Sequence, residues 1–262
     1  PSLGKLAVND LTKTKIEHWH HGMVRKAADP HDEEDKEDER KSKDSANRVL
    51  SMLKGALNRA IQDPANGIAR DDAWRLVKPF KGVGAARKVF LTVDQCRELR
   101  SVSVGDFLNL VTAGLLSGAR YGEVASLDVR DFDSSGILHL RDGKTGPRQI
   151  MLTAEGTKFF AAMADGRDSR DPLIPRGKGR WQKSEQYRPM VAAVKAAKLD
   201  PETTYYSLRH TYASLSLLAG MNMQLLAENM GTSVRMVELH YGKFAAQSRR
   251  DLIEASAPKL GL

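Results

Sequence analysis

Apolar residues recur at helical spacing over most of this chain, with one short interval in which they alternate. Near the start, Ile16, Trp19 and Met23 follow Thr12 three or four positions apart, which predicts a helix with Thr12 as its N-cap. The cleanest helical stretch of the N-terminal part is 45–62. There Ala46, Val49, Leu50, Leu53, Leu57, Ala60 and Ile61 form one stripe, Arg48, Lys54 and Arg59 lie off it, and Asp63-Pro64 ends it. Residues 29–44, in contrast, hold almost no apolar positions and predict a solvated loop or an excursion between helices. Residues 78–88 combine Pro79 with glycine and alanine breaks and with Lys81, Arg87 and Lys88, so an exposed basic linker and a domain boundary are expected there.

Beyond that boundary, Thr92 and Gln95 have the spacing of a capping box, and 107–116 is apolar enough to be a buried helix. Alternation appears in 137–141 and 148–152. These predict two strands joined by the turn-rich connection 142–147, a hairpin. After Thr153 the helical pattern resumes, broken by a polar loop over 165–180. The fold class expected is mainly α with one small antiparallel β-sheet.

Composition narrows the function. Lys and Arg number 41 against 33 Asp and Glu, a net charge of +8. Residues 29–44 alone hold nine acidic and four basic side chains, or −5, so the rest of the chain carries +13. So basic a surface attracts polyanions, nucleic acid first among them, although an ordinary protein of high pI shares this balance. The single cysteine, Cys96, excludes an internal disulfide framework and fits a reducing, cytoplasmic setting. No apolar run approaches the roughly 20 residues that cross a bilayer, and no secretory signal is visible. Neither a phosphate-binding glycine loop nor metal-ligand spacing occurs. His18, His20 and His21 lack the i, i+4 pair of helical metal sites and read as surface residues, so no metal and no cofactor are expected.

Four segments carry candidate chemistry. Arg120 lies between Gly118 and Gly122 at the end of the buried helix, where a guanidinium can grip a phosphate with two parallel hydrogen bonds; the plainer reading is a surface ion pair with Glu123. Lys144, between Gly143 and Gly146, can protonate a leaving oxygen or simply be a turn lysine. In Tyr205-Tyr206-Ser207-Leu208-Arg209-His210, Ser207 is a candidate cap that puts Arg209 and His210 in a first helical turn suited to an anion; a packed aromatic pair and a solvated arginine would look the same. Finally, Thr232 or Ser233 caps a short helix that ends before Tyr241, leaving the phenol near a loop beside His240 and Lys243; a half-buried tyrosine is the plainer alternative.

Together, and in this order, the segments "GLLSGARYGEVASLDVRDFD", "KTGPRQIMLT" and "YSLRHTYASLSLLAGMNMQLLAENMGTSVRMVELHYGKF" resemble the tyrosine recombinases, the phage-integrase family. The resemblance spans about 90–244 closely and the N-terminal part more loosely. It implies a two-domain, C-shaped clamp: a helical core-binding domain over 1–80, a basic linker over 81–89, a catalytic domain over 90–244 and a tail over 245–262. Because the chain begins at Pro1, an N-terminal arm-binding domain is expected outside it. The likeness also implies Tyr241 as nucleophile, Arg120 and Arg209 as the phosphate clamp, Lys144 as general acid and Glu123 as support. Arg48, Lys54, Lys81, Arg87 and Lys88 are then candidate DNA contacts. Two positions depart from the family pattern. Tyr206 stands where the motif has histidine in His-x-x-Arg, and Thr232 stands where a later histidine or tryptophan follows a glycine. Both can hydrogen-bond a phosphate, but a tyrosine hydroxyl titrates near ~10 and does not shuttle protons at neutral pH as histidine does. The acceptor for the nucleophile's proton is therefore left among His210, His240 and water.

The activity implied by the resemblance is metal- and ATP-independent exchange of DNA strands through a 3′-phosphotyrosyl bond. The expected partners are a double-stranded DNA target site, three further copies in a tetramer and accessory DNA-bending proteins, with no membrane. The tail, with Leu252, Ile253 and Ala255 on one helical face, is expected to dock on a neighbouring copy. Two other readings stay open: a type IB topoisomerase, and a non-enzymatic DNA-binding regulator descended from a recombinase, which the changes at Tyr206 and Thr232 favour.

Overall fold

The structure is a computed structural model; it describes residues 3–29, 32–83, 89–141 and 146–247. The chain divides into two compact units, residues 1–87 and 88–262. Among the described residues no helix is long and apolar enough to cross a membrane.

The first unit is built from α1 (Lys13–His21), α2 (Glu33–Ile61) and the short α3 (Asp72–Arg75). Thr12 caps α1 by accepting a hydrogen bond from the Lys15 amide. Ile16, Leu50, Leu57, Trp74 and Val77 close a small core, and the Trp74 indole N–H donates to Asn58 Oδ1 at 2.7 Å. From Glu33 on, the acidic stretch expected to be a solvated loop or an excursion between helices is instead the first part of α2. Its charges stand three and four apart and pair along the helix: Glu37 with Arg40 and Lys41, Glu39 with Lys43, and Asp44 with Arg48. Such pairs support a helix that has no apolar face to bury. His20, expected on the surface, is buried and stacks on Phe80 with ring centroids 4.4 Å apart. The helix turns that position inward, while His18 and His21 stay exposed.

The second unit holds the larger core. The expected capping box is present: Thr92 and Gln95 bond reciprocally and open α4 (Val93–Val102). Next comes α5 (Gly105–Ser117), whose Leu110, Val111 and Ala113 are wholly buried. After α6 (Tyr121–Ser126), strands β1 (Phe132–Asp133), β2 (Ile137–Leu140) and β3 (Arg148–Met151) form an antiparallel sheet in that order, with Leu138 opposite Ile150 and Leu140 opposite Arg148. Leu138, Leu140 and Ile150 project into the core. Then follows α7 (Ala154–Ala164). The polar stretch after it is not wholly a loop: β4 (Pro175–Arg176) pairs with β5 (Gly179–Arg180), and Leu173 and Ile174 enter the core. Among the described residues a second, two-stranded sheet thus accompanies the expected one. The strands of the second are two residues long, too short for alternation to register.

Four helices follow among the described residues: α8 (Tyr187–Ala196), α9 (Tyr205–Leu218), α10 (Met223–Met230) and α11 (Val234–Gln247). Tyr205, buried, ties α9 to α5 by donating its hydroxyl to the Leu110 carbonyl at 3.0 Å. A second apolar cluster of Leu217, Leu226, Met230, Val237, Tyr241 and Phe244 binds α9, α10 and α11 to one another.

Candidate active site

Two helix ends create the site. α5 stops at Gly118 and α10 at Gly231, each in the left-handed conformation with φ of +62° and +61°. A side chain at either position would also crowd a neighbour, the rigid Tyr212 ring in one case and the bonded Arg148 side chain in the other. A Cβ would come 2.3 Å from the Tyr212 ring at Gly118 and 2.6 Å from the Arg148 side chain at Gly231. The carbonyls at these ends carry the negative pole of their helices, and arginines fill the role of capping cations. Arg209 donates to Gly118 O at 2.8 Å and to Met230 O at 2.6 Å; Arg120 donates to Gly231 O at 3.3 Å. Two guanidinium groups are thereby held on successive carbonyls of one turn.

Glu123 locks the second side of this arrangement. It is buried, and its carboxylate accepts from the Arg120 amide at 2.8 Å and the Arg120 guanidinium at 2.7 Å. Arg148 reaches it with two parallel bonds of 2.7 and 2.8 Å. Burial alone would raise the Glu123 pKa, but the hydrogen bonds from Arg148 and Arg120 outweigh it and hold the group at about 2. Arg148 is absent from the candidates that the sequence suggests. Its signal there is faint: an arginine at the head of a four-residue strand in which Ile150 is the buried position, opposite Leu140. Burial and the adjacent charge of Arg120 lower the Arg209 pKa, as expected of a guanidinium crowded by its own kind.

Tyr241 stands near enough to Arg209 for its charge to act on the phenol. It is in the middle of α11, not near a loop as expected, because the helix runs on to Gln247 without a break. The phenol is buried in the second apolar cluster, and its oxygen is 2.6 Å from His210 Nδ1. Burial pushes its pKa up to about 12, with Tyr206 adding to the rise and the positive charge of Arg209 opposing it. Tyr206 is exposed and meets the His210 ring edge-on at 4.9 Å. The cap of α9 is Thr204, with Ser207 as its third residue, so Arg209 and His210 lie beyond the first turn expected for them. Arg209 is therefore held by helix C-terminal carbonyls and not by a position at a helix N-terminus. Thr232, half-buried, follows Gly231 and donates its amide to Ala227 O.

The structure thus gathers Arg120, Glu123, Arg209, His210 and Tyr241, with Tyr206 and Thr232 at their edge. Lys144, Arg87 and Lys88 lie outside the described residues, as does the tail from 248 onward. Of the other basic candidates, Arg48 is exposed and paired with Asp44, and Lys81 is exposed. Lys54 turns inward to cap the end of α3 through the Arg75 and Val77 carbonyls.

No family model and no curated protein matches this chain. Solved structures do. A Tn1549 transposon integrase in complex with circular intermediate DNA superposes with a TM-score of 0.70 at 20% identity, covering 98% of this chain and 89% of that one. A lambda integrase dimer bound to a core site gives 0.67 at 19% identity, over 88% and 82% of the two chains. The XerA recombinase gives 0.52 at 18% identity, over 96% and 85%. All three are tyrosine recombinases, and this chain has their fold.

Proposed function

We propose that this chain is a site-specific DNA recombinase that cuts and rejoins strands through a 3′-phosphotyrosyl bond on Tyr241. The observation that carries the reading is the pair of guanidiniums, Arg120 and Arg209, anchored on the carbonyls of residues 230 and 231, with Arg209 acting electrostatically on the Tyr241 phenol. Each guanidinium has five N–H groups and spends only part of them on the protein, so donors remain for a phosphate's non-bridging oxygens. Such preset donors hold the charge that develops when the phenol oxygen attacks phosphorus. Lys144 is the general acid for the departing 5′-hydroxyl. Rejoining exchanges one phosphodiester for another of similar energy, which needs neither ATP nor metal.

The fold's solved examples support duplex DNA as substrate, since the Tn1549 and lambda integrases were captured on DNA, and lambda integrase as a tetramer on a Holliday junction. In this reading the first unit binds the core DNA, the tail after Phe244 joins neighbouring copies, and accessory DNA-bending proteins assist. Nicked duplexes tiling the DNA on both sides of the coding sequence provide the test. With one of them, the chain should form a covalent adduct on a denaturing gel, and Tyr241→Phe should abolish it. Retarded DNA with no adduct from any duplex would replace this reading with the DNA-binding regulator, which the substitutions at Tyr206 and Thr232 favour. Relaxation of plasmids lacking any such site would point to a topoisomerase.

A further inference from the structure

A phenol buried beside two arginines still needs somewhere to send its proton. With a pKa of about 12, only about one Tyr241 in 10⁵ is ionised at pH 7, so attack as a preformed phenolate would lose most of the rate the site could provide. The position that would hold an exchanging imidazole three residues before Arg209 is Tyr206, whose hydroxyl is a poor acceptor at neutral pH. The structure offers another group. α9 and α11 pack together, and His210, one residue after the clamp arginine, projects from α9 onto α11. Its Nδ1 lies 2.6 Å from the Tyr241 oxygen, within the range in which a proton passes directly between heavy atoms. Tyr206 meets the His210 ring edge-on and the Tyr241 ring is tilted 51° to it, so aromatic neighbours bound the imidazole on two sides. His240 is less well placed. Adjacent residues on a helix diverge, and its ring stands nearly perpendicular to that of Tyr241 with centres 6.2 Å apart, against 5.7 Å for His210.

We propose that His210 is a catalytic residue, the proton acceptor for the nucleophile in the same chain. The inference rests on the recombinase reading and deepens it. In the cleavage step the Tyr241 O–H bond breaks and an Nδ1–H bond forms on neutral His210. The phenol oxygen bonds to phosphorus, the bond from phosphorus to the 5′-oxygen breaks, and that oxygen takes a proton from Lys144. In rejoining, a 5′-hydroxyl attacks phosphorus and returns its proton to the lysine, and the departing phenol oxygen recovers its own from His210. Arg209 and His210, neighbours in sequence, then divide the work: one holds the phosphate and the other the proton.

A merely positioning histidine would also hydrogen-bond the phenol, so the test must separate proton transfer from placement. His210→Gln keeps a hydrogen-bonding amide that can reach the phenol, one bond farther out than Nδ1, but takes up no proton. On the nicked duplex that wild type cleaves, its single-turnover cleavage should fall about 10²- to 10³-fold. Replacing Tyr241 by a fluorinated tyrosine that ionises near neutral pH should shrink the His210→Gln defect to less than tenfold, because little proton then remains to be taken. His210→Gly with imidazole in solution should regain cleavage and guards against a variant that is simply misfolded. Equal cleavage by wild type and His210→Gln, or a defect that persists unchanged with the fluorinated tyrosine, overturns the role of His210 while leaving the recombinase reading intact. A wild-type chain that forms no adduct on any duplex overturns both.

Discussion

The second unit contains two arginine–carboxylate clusters of nearly the same composition that do different things. In one, Asp128 and Asp131, both buried, gather Arg130, Arg141 and Arg180. In the other, Glu123 alone faces Arg120 and Arg148, with Arg209 close enough for its charge to be felt. The carboxylates are equally hidden. The cations differ by degree: the Arg130, Arg141 and Arg180 side chains are 50%, 46% and 36% exposed, whereas those of Arg120 and Arg148 are 28% and 10%. Water can relieve the positive excess in the first cluster. In the second, three guanidiniums share one carboxylate and some helix-end carbonyls, and the surplus is held where solvent reaches it poorly. A surplus of that kind calls for an anion. The first cluster ties together the turn after α6, the base of the hairpin and β5, and is read as scaffold; the second is read as a phosphate seat.

Matched arginine-to-lysine changes give the sharpest contrast. Arg209→Lys loses the planar fork and with it the simultaneous bonds to Gly118 and Met230, so single-turnover DNA cleavage should fall about 10²- to 10³-fold. Arg141→Lys should leave cleavage within a few-fold of wild type; an equal loss would erase the distinction between the two clusters. Acid offers a second comparison. Glu123 has a folded pKa of about 2 against an ordinary 4.5, so its contribution, about 3 kcal/mol, is full above pH ~4.5 and is lost as pH falls towards 2. Glu123→Gln should therefore flatten the acid limb of the stability curve measured by denaturant unfolding between those values, and an unchanged limb would count against the buried network. The smallest effect is expected at Arg130. Its ion pair with Asp128 is half in water, and Arg130→Ala should change stability by less than about 1 kcal/mol with cleavage unaffected.

Much of this was legible in the chain itself. The stripe over 45–62, the capping box at Thr92, the buried helix before Arg120 and the alternation around the hairpin are local patterns, and a local pattern is enough to choose between helix and strand. The three motif blocks likewise pointed to Arg120, Glu123, Arg209 and Tyr241, because each carries its own neighbours along the chain. Where charge spacing rather than apolar spacing held an element together, as in the first half of α2, the apolar pattern alone misled.

Tertiary structure decided the rest, for a simple physical reason. A hydrogen bond between residues 31 or 111 positions apart leaves no trace in either stretch of sequence, yet such bonds join His210 to Tyr241 and Arg120 to Gly231. Nor does sequence say that Arg148 would close on Glu123, since one heads a strand and the other lies in a helix. The chain's own order of residues determined which groups are available for chemistry. The packing of α5, α9, α10 and α11 determined which of them meet.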